Sequence, residues 1–157
     1  MSRDGSLKFK IKVNAPLVDV WNAWTDTDTI IEWFSPEANI EPRLEGAYEL
    51  FFDTENHYRM STIGCTIIEF KPREHLSFSW KGPDQYAGLM NERDVMTHVR
   101  VKFWEENGAT HVYVEHLGWG EGVGWAEARA WHKRAWDGVL SNLKSFFRAR
   151  EHLYTRD

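Results

Sequence analysis

Residues 7–13, LKFKIKV, alternate without a break: Leu7, Phe9, Ile11 and Val13 fall on one side, and Lys8, Lys10 and Lys12 on the other. A period of two marks a strand with one buried and one wetted face. The period then changes. Val18, Trp21, Asn22 and Trp24 or Thr25 recur at helical spacing behind Pro16, a residue suited to a helix start. Asp26 or Asp28 can cap a second short helix carrying Ile30, Ile31, Trp33 and Phe34. Pro36 ends it, because the residue before a proline is pushed out of the α region.

Segments of strand character follow at 38–40, 47–52, 61–70, 76–80, 95–104 and 110–117. Turn signals separate them, and Asn107-Gly108 between two alternating runs predicts a hairpin because this pair accepts positive φ at low cost. Residues 83–94 read as a longer loop. The chain closes with a long helix from about residue 122 to about 153. Its inward stripe is Trp125, Ala128, His132, Ala135, Trp136, Val139, Leu143, Phe146 and Phe147. Gly138 lies in mid-helix at a cost of ~1 kcal/mol against alanine, and is expected to admit close approach of another backbone.

Strands in succession form an antiparallel sheet, and the long helix must cover its apolar face. The pattern therefore predicts an α+β fold over a single domain, residues 1–157, with two short helices after the first strand. A curved sheet wrapped around a helix leaves a gap between the two, and that gap is the expected ligand site.

Composition sharpens this. Nine Trp and nine Phe make the chain 15% aromatic with Tyr, which leans toward pocket walls as well as core. Cys65 is the single cysteine, so an intrachain disulfide and a zinc site with two or more thiolates are both excluded. A reducing, cytoplasmic location is expected, since the opening MSRDGSLKFK has no apolar signal core. No run approaches the ~20 apolar residues of a membrane span, so no membrane insertion is expected. The net charge is −5 and the basic residues are scattered along the sequence, which argues against nucleic acid as a partner.

The stretch EHLGWGEGVGWAEARAWHKRAW (115–136) raises the question of a phosphate loop. It has neither GxxxxGK[ST] nor GxGxxG, and Glu121 would repel a phosphate, so a flexible corner is the better reading. His111 and His116 are five apart on one strand and so face opposite ways; with no HExxH, no metal is expected. His116 is in phase with the apolar Val112 and Val114, and His132 lies on the inward helix stripe. Each is either a satisfied core histidine or a ring that orients a ligand; His116 is the candidate general base. Trp80, in phase with Leu76 and Phe78, joins Trp33, Phe34, Trp125 and Trp136 as candidate pocket wall, with Tyr48, Leu50 and Phe52 on one sheet face. The candidate ligand-binding set is therefore Trp33, Phe34, Tyr48, Leu50, Phe78, Trp80, Val114, His116, Trp125, His132 and Trp136. Glu49, Glu115, Arg100 and Lys102 are out of phase with the apolar faces, and Ser61, Ser77, Ser79 and Cys65 sit in no nucleophile motif.

Three segments carry a family resemblance. VNAPLVDVWNAWTDTDTIIEWFSP from Val13, GCTIIEFKPREHLSFSW, and HLGWGEGVGWAEARAWHKRAWDGVLSNLKSF resemble proteins related to the carboxy-terminal domain of the Hsp90 ATPase activator. These belong to the START-like, or SRPBCC, superfamily, and the resemblance covers roughly residues 7–147. It implies a helix-grip fold, in which a curved antiparallel sheet of about seven strands holds a long C-terminal helix with a cavity between them. The superfamily includes lipid carriers, hormone receptors, polyketide cyclases and aromatases. The leading expectation is a domain that binds a small hydrophobic or aromatic molecule, with no cofactor. The alternatives are a cyclase- or aromatase-like enzyme using a cavity histidine, and a protein-interaction or chaperone-regulating module of the Hsp90 co-chaperone kind. The resemblance also allows a homodimer.

Overall fold

The structure, a computed structural model, describes residues 5–154. Strand β1 (Leu7–Val13) leads into helices α1 (Leu17–Thr25) and α2 (Thr27–Ile30). Pro16 precedes the first turn of α1, and the Asp26 carboxylate accepts from the Thr29 amide to cap α2. Helix α2 ends at Ile30, well before Pro36, and Trp33 and Phe34 lie in the turns that follow, their amides bonded to the Ile30 carbonyl.

Strands β2 (Glu37–Ile40), β3 (Tyr48–Phe51), β4 (Ile67–Lys71), β5 (His75–Trp80), β6 (Thr97–Glu106) and β7 (Ala109–Leu117) make up the rest of the sheet, and α4 (Val123–Arg148) closes the fold. All pairings are antiparallel. The strands divide into a five-stranded sheet, β1-β7-β6-β5-β4, and a β2-β3 ribbon. Isolated bridges from Ala47 to Thr66 and from Phe51 to Ser61 join the two into one curved surface. The β6–β7 hairpin turns at Asn107 and Gly108, with φ of 53° and 78°.

Two expected segments differ. The predicted strand over 61–70 begins only at Ile67, because residues 61–66 follow an irregular path with Gly64 at φ 87° and the Thr62 hydroxyl taking the Leu50 amide. The loop at 83–94 carries short structure of its own, including helix α3 (Ala87–Met90). Met90 is buried against Gly82, where an added Cβ would sit 2.5 Å from its sulfur, and the Asn91 side chain bonds both the amide and the carbonyl of Gly82.

Helix α4 stops at Arg148 rather than about 153, and a short turn over Glu151–Leu153 follows. The buried stripe itself ends at Phe147, and Leu153 is exposed, so no apolar face remains to hold further turns. Gly138 faces open space with nothing near its Cβ position, so the expected close backbone approach is absent.

The core lies between the sheet and the helices. Val99, Val101, Val112 and Val114 supply the buried face of β6 and β7, while Trp21 packs edge-on against Phe70 and Phe103, 5.5 and 5.1 Å away. Helix α4 packs most extensively against β1. On its other flank, toward the β2-β3 ribbon, the helix and sheet part.

Candidate functional site

That parting makes a cavity of about 240 Å³. Helix α4 contributes Trp131, His132, Ala135, Trp136 and Val139, one helical face read at four-residue steps from 131 and from 132. Strand β5 contributes Trp80, the residue after β3 contributes Phe52, the turn after α2 contributes Phe34, and two loops supply Met60–Thr62 and Lys81–Pro83. The inner rings form a triad: Phe34 lies 5.5 Å from Trp136 and 6.2 Å from Trp80, and the two indoles are 5.8 Å apart. Tilted rings at these separations present both faces and edges to the space they enclose.

Behind the triad the interface is sealed by two histidine–tryptophan couples. Trp136 Nε1 donates to His116 Nδ1 at 2.9 Å, and His116 Nε2 meets Thr97 Oγ1 at 2.8 Å. An indole N–H only donates, so Nδ1 is bare and the His116 proton sits on Nε2, donated to Thr97. Trp80 Nε1 donates to His132 Nε2 at 3.1 Å, while His132 Nδ1 lies 2.7 Å from the Ala128 carbonyl. A carbonyl only accepts, so this second imidazole carries its proton on Nδ1. Helix and sheet thus exchange one bond in each direction: Trp136 of α4 to β7, and Trp80 of β5 to α4. Trp119, in the corner after β7, packs on both imidazoles at 4.5 and 5.1 Å and donates its N–H to the His116 carbonyl.

Both rings are held neutral. Burial pushes the His132 pKa down to about 4, against a smaller upward effect of the Ala128 carbonyl. Burial, with the neighbouring His132 and His98, drives His116 well below the ordinary histidine range. A second proton on either ring would have to displace an indole N–H from the only lone pair available.

The structure brings Phe34, Trp80, His132 and Trp136 of the expected set to the cavity wall. The remaining seven do not line it. His116 and Val114 are fully buried behind the wall. Tyr48 and Phe78 stack on each other at 3.9 Å, with the Tyr48 hydroxyl bonded to the Trp24 carbonyl, and Leu50 is buried beside them. Trp33 packs edge-on against Trp24 at 4.8 Å and donates to the Ala23 carbonyl. Trp125 lies over Gly120, where an added Cβ would come within 2.6 Å of the indole; the glycine-rich corner makes room for this ring. Sequence reasoning missed Trp131, Met60 and the loop residues. Trp131 had a signal, four residues before Ala135 and eight before Val139, whereas the loop segments have no periodicity to read.

The cavity mouth is tied across its two loops. Asp84 accepts from the Met60 amide at 2.9 Å and from Arg59 Nε at 3.2 Å, and the Asp84 amide faces Met60 Sδ at 3.4 Å. These bonds, that from the Met60 amide foremost, hold the exposed Asp84 carboxyl below its ordinary pKa. Met60 sits at φ 46°, a left-handed conformation uncommon for a residue with a side chain.

Among known proteins, the family described as Activator of Hsp90 ATPase homolog 1-like protein matches residues 14–148. No curated protein gives a significant match. Solved structures are similar at low identity. Protein MLL2253 from Mesorhizobium loti superposes with a TM-score of 0.69 at 16% identity, covering 89% of this chain and 94% of that one. The Aha1 dimer from Colwellia psychrerythraea gives 0.67 at 15%, covering 90% and 95%. DynU16, from the dynemicin biosynthetic locus, gives 0.68 at 18%, covering 92% of this chain and 48% of that one. At these identities the likeness is one of fold: a helix-grip arrangement of curved antiparallel sheet and long C-terminal helix.

Proposed function

The chain belongs to the Activator of Hsp90 ATPase homolog 1-like family, within the START-like superfamily, and from that premise we propose that it binds a small hydrophobic molecule in the cavity between α4 and the sheet. The observation that carries this reading is the cavity itself. It is walled by Phe34, Trp80 and Trp136, with Phe52 and Trp131 also in its lining. Affinity would come from apolar burial, at roughly 25 cal/mol per Å² removed from water. His132 and Trp80 serve by holding the wall in shape. The presence of DynU16, from a small-molecule biosynthetic locus, among the structural relatives accords with a small-molecule ligand.

A binder is favoured over a cyclase-like catalyst because the lone pairs of His116 and His132 already hold indole N–H groups. Neither is free to take a proton from a substrate. The cytoplasmic location expected from the sequence belongs to the same proposal.

The test is a panel of hydrophobic compounds scored by intrinsic tryptophan fluorescence and melting temperature. Quenching together with a rise in melting temperature is expected for part of the panel. Silence in both across the whole panel would sink the reading.

A second reading, regulation of an Hsp90-type chaperone, is favoured by the family and by the likeness to the Colwellia Aha1 dimer. It predicts co-purification with the chaperone and a change in its ATPase rate. Absence of both removes it.

A further inference from the structure

We propose that the ligand of this cavity is an uncharged aromatic molecule of one or two fused rings, carrying at most one hydrogen-bond acceptor. The inference rests on the reading that the cavity binds a small hydrophobic molecule, and narrows it by asking what the wall has left to offer.

Most polar side chains of the wall are committed to the protein. Ser61 Oγ donates to the His57 carbonyl at 2.6 Å and accepts the Ile63 amide at 3.3 Å. Thr62 Oγ1 donates to the Tyr48 carbonyl and accepts the Leu50 amide. His132 has both nitrogens bonded, and the N–H groups of Trp80 and Trp136 are the ones bonded to the two histidines. The Lys81 ammonium is held 2.7 Å from the Ile63 carbonyl, beside Gly64, where the backbone is exposed. Among the described residues, the buried side-chain polar atom without a partner is Trp24 Nε1, and Trp24 is not part of the wall.

An ammonium drawn into such a space would lose its water and meet only the like charge of Lys81, and a carboxylate would have to draw that lysine away from the Ile63 carbonyl, so the wall favours an uncharged ligand. Besides the Lys81 ammonium, the wall keeps Trp131, which makes no hydrogen bond among the described residues and is half-buried, so its N–H is available to a single neutral acceptor such as a phenol or ketone oxygen.

Size and shape set the rest. A cavity of about 240 Å³ is below the ~300–1,000 Å³ of sites for drug-sized ligands, and above the ~150 Å³ that holds benzene in an engineered core. The ring triad at 5.5–6.2 Å favours a flat partner over a long flexible chain.

The experiment is isothermal titration of the full chain at neutral pH with 1-methylnaphthalene, 1-naphthoate and palmitate, repeated on Lys81→Met. The neutral arene is expected to bind at least about a hundredfold more tightly than the carboxylate of the same ring. Lys81→Met should preserve the preference for the neutral arene over 1-naphthoate. Equal or tighter binding of 1-naphthoate, lost in Lys81→Met, would overturn the inference and make the lysine an anion anchor. Tighter binding of palmitate would overturn it in favour of a chain-shaped ligand. In both cases the cavity still binds. If none of the three binds, the ligand-binding reading falls, and this inference with it.

Discussion

His116 and Val139 belong to the same helix–sheet interface, yet their surroundings differ. Around His116 each polar atom has a partner, the ring is fully buried, and Trp119, Trp136 and Thr97 leave no space. Around Val139 the helix faces a cavity, and the side chain is half-buried. The sealed centre fixes how α4 sits on the sheet, through directional bonds that cannot be exchanged for generic packing. The open flank is free of that duty. On the proposed reading, the ligand binds where the interface stops closing, and the histidines that look functional in the sequence serve to hold the position of the wall.

The sealed centre should therefore break hardest. His116→Ala removes a packed ring and leaves the Trp136 N–H without its acceptor, at an expected cost of roughly 3–5 kcal/mol, read as a fall in the urea midpoint. An unchanged midpoint would show that the couple contributes nothing.

Acid should act on the same centre. The His132 pKa is about 4 folded and 6.5 as a free side chain. Below pH 6.5 the unfolded chain takes up a proton that the folded chain refuses. Stability is thus constant above pH 6.5 and falls from there down to pH 4, where the folded ring also protonates. The loss by pH 5 is about 2 kcal/mol from His132 alone, with His116 acting in the same direction. Equilibrium unfolding at pH 7 and pH 5 checks it, and equal stability at the two would contradict the neutral couples.

The solvent face of α4 offers a control away from both regions. Gly138→Ala meets nothing within contact distance, so it should raise stability by about 1 kcal/mol through helix propensity. Its ligand affinity should not change. On the open flank, Val139→Phe should alter stability by less than about 1 kcal/mol while lowering affinity for 1-methylnaphthalene at least about tenfold. A large stability loss there would mean that the flank is as closely packed as the centre.

Much of this architecture was legible along the chain. The alternation of 7–13 marked β1, Asn107-Gly108 marked the hairpin, and the three- and four-residue recurrence marked α4. Periodicity also placed Trp80, His116, His132 and Trp136 on inward faces, and all four are buried. It could not tell a wall from a core, because inward residues on either side of the parting obey the same period. Tyr48 and Phe78 read like wall residues, but they close on each other at 3.9 Å. The tautomers of the two histidines depend on which indole reaches which nitrogen, a matter of tertiary distance. The loop contributions from 60–62 and 81–83 lie in segments whose path is set by single bonds, such as that from the Met60 amide to Asp84.

The most direct test of the account is a crystal structure of the protein with 1-bromonaphthalene, located by the anomalous signal of its bromine. The account predicts one peak in the cavity, with the ring within about 4 Å of Phe34, Trp136 and Val139 and both histidine–tryptophan couples unchanged. A peak on the outer surface, or a ring inserted among His116, Trp119 and Thr97 with the couples broken, would contradict it.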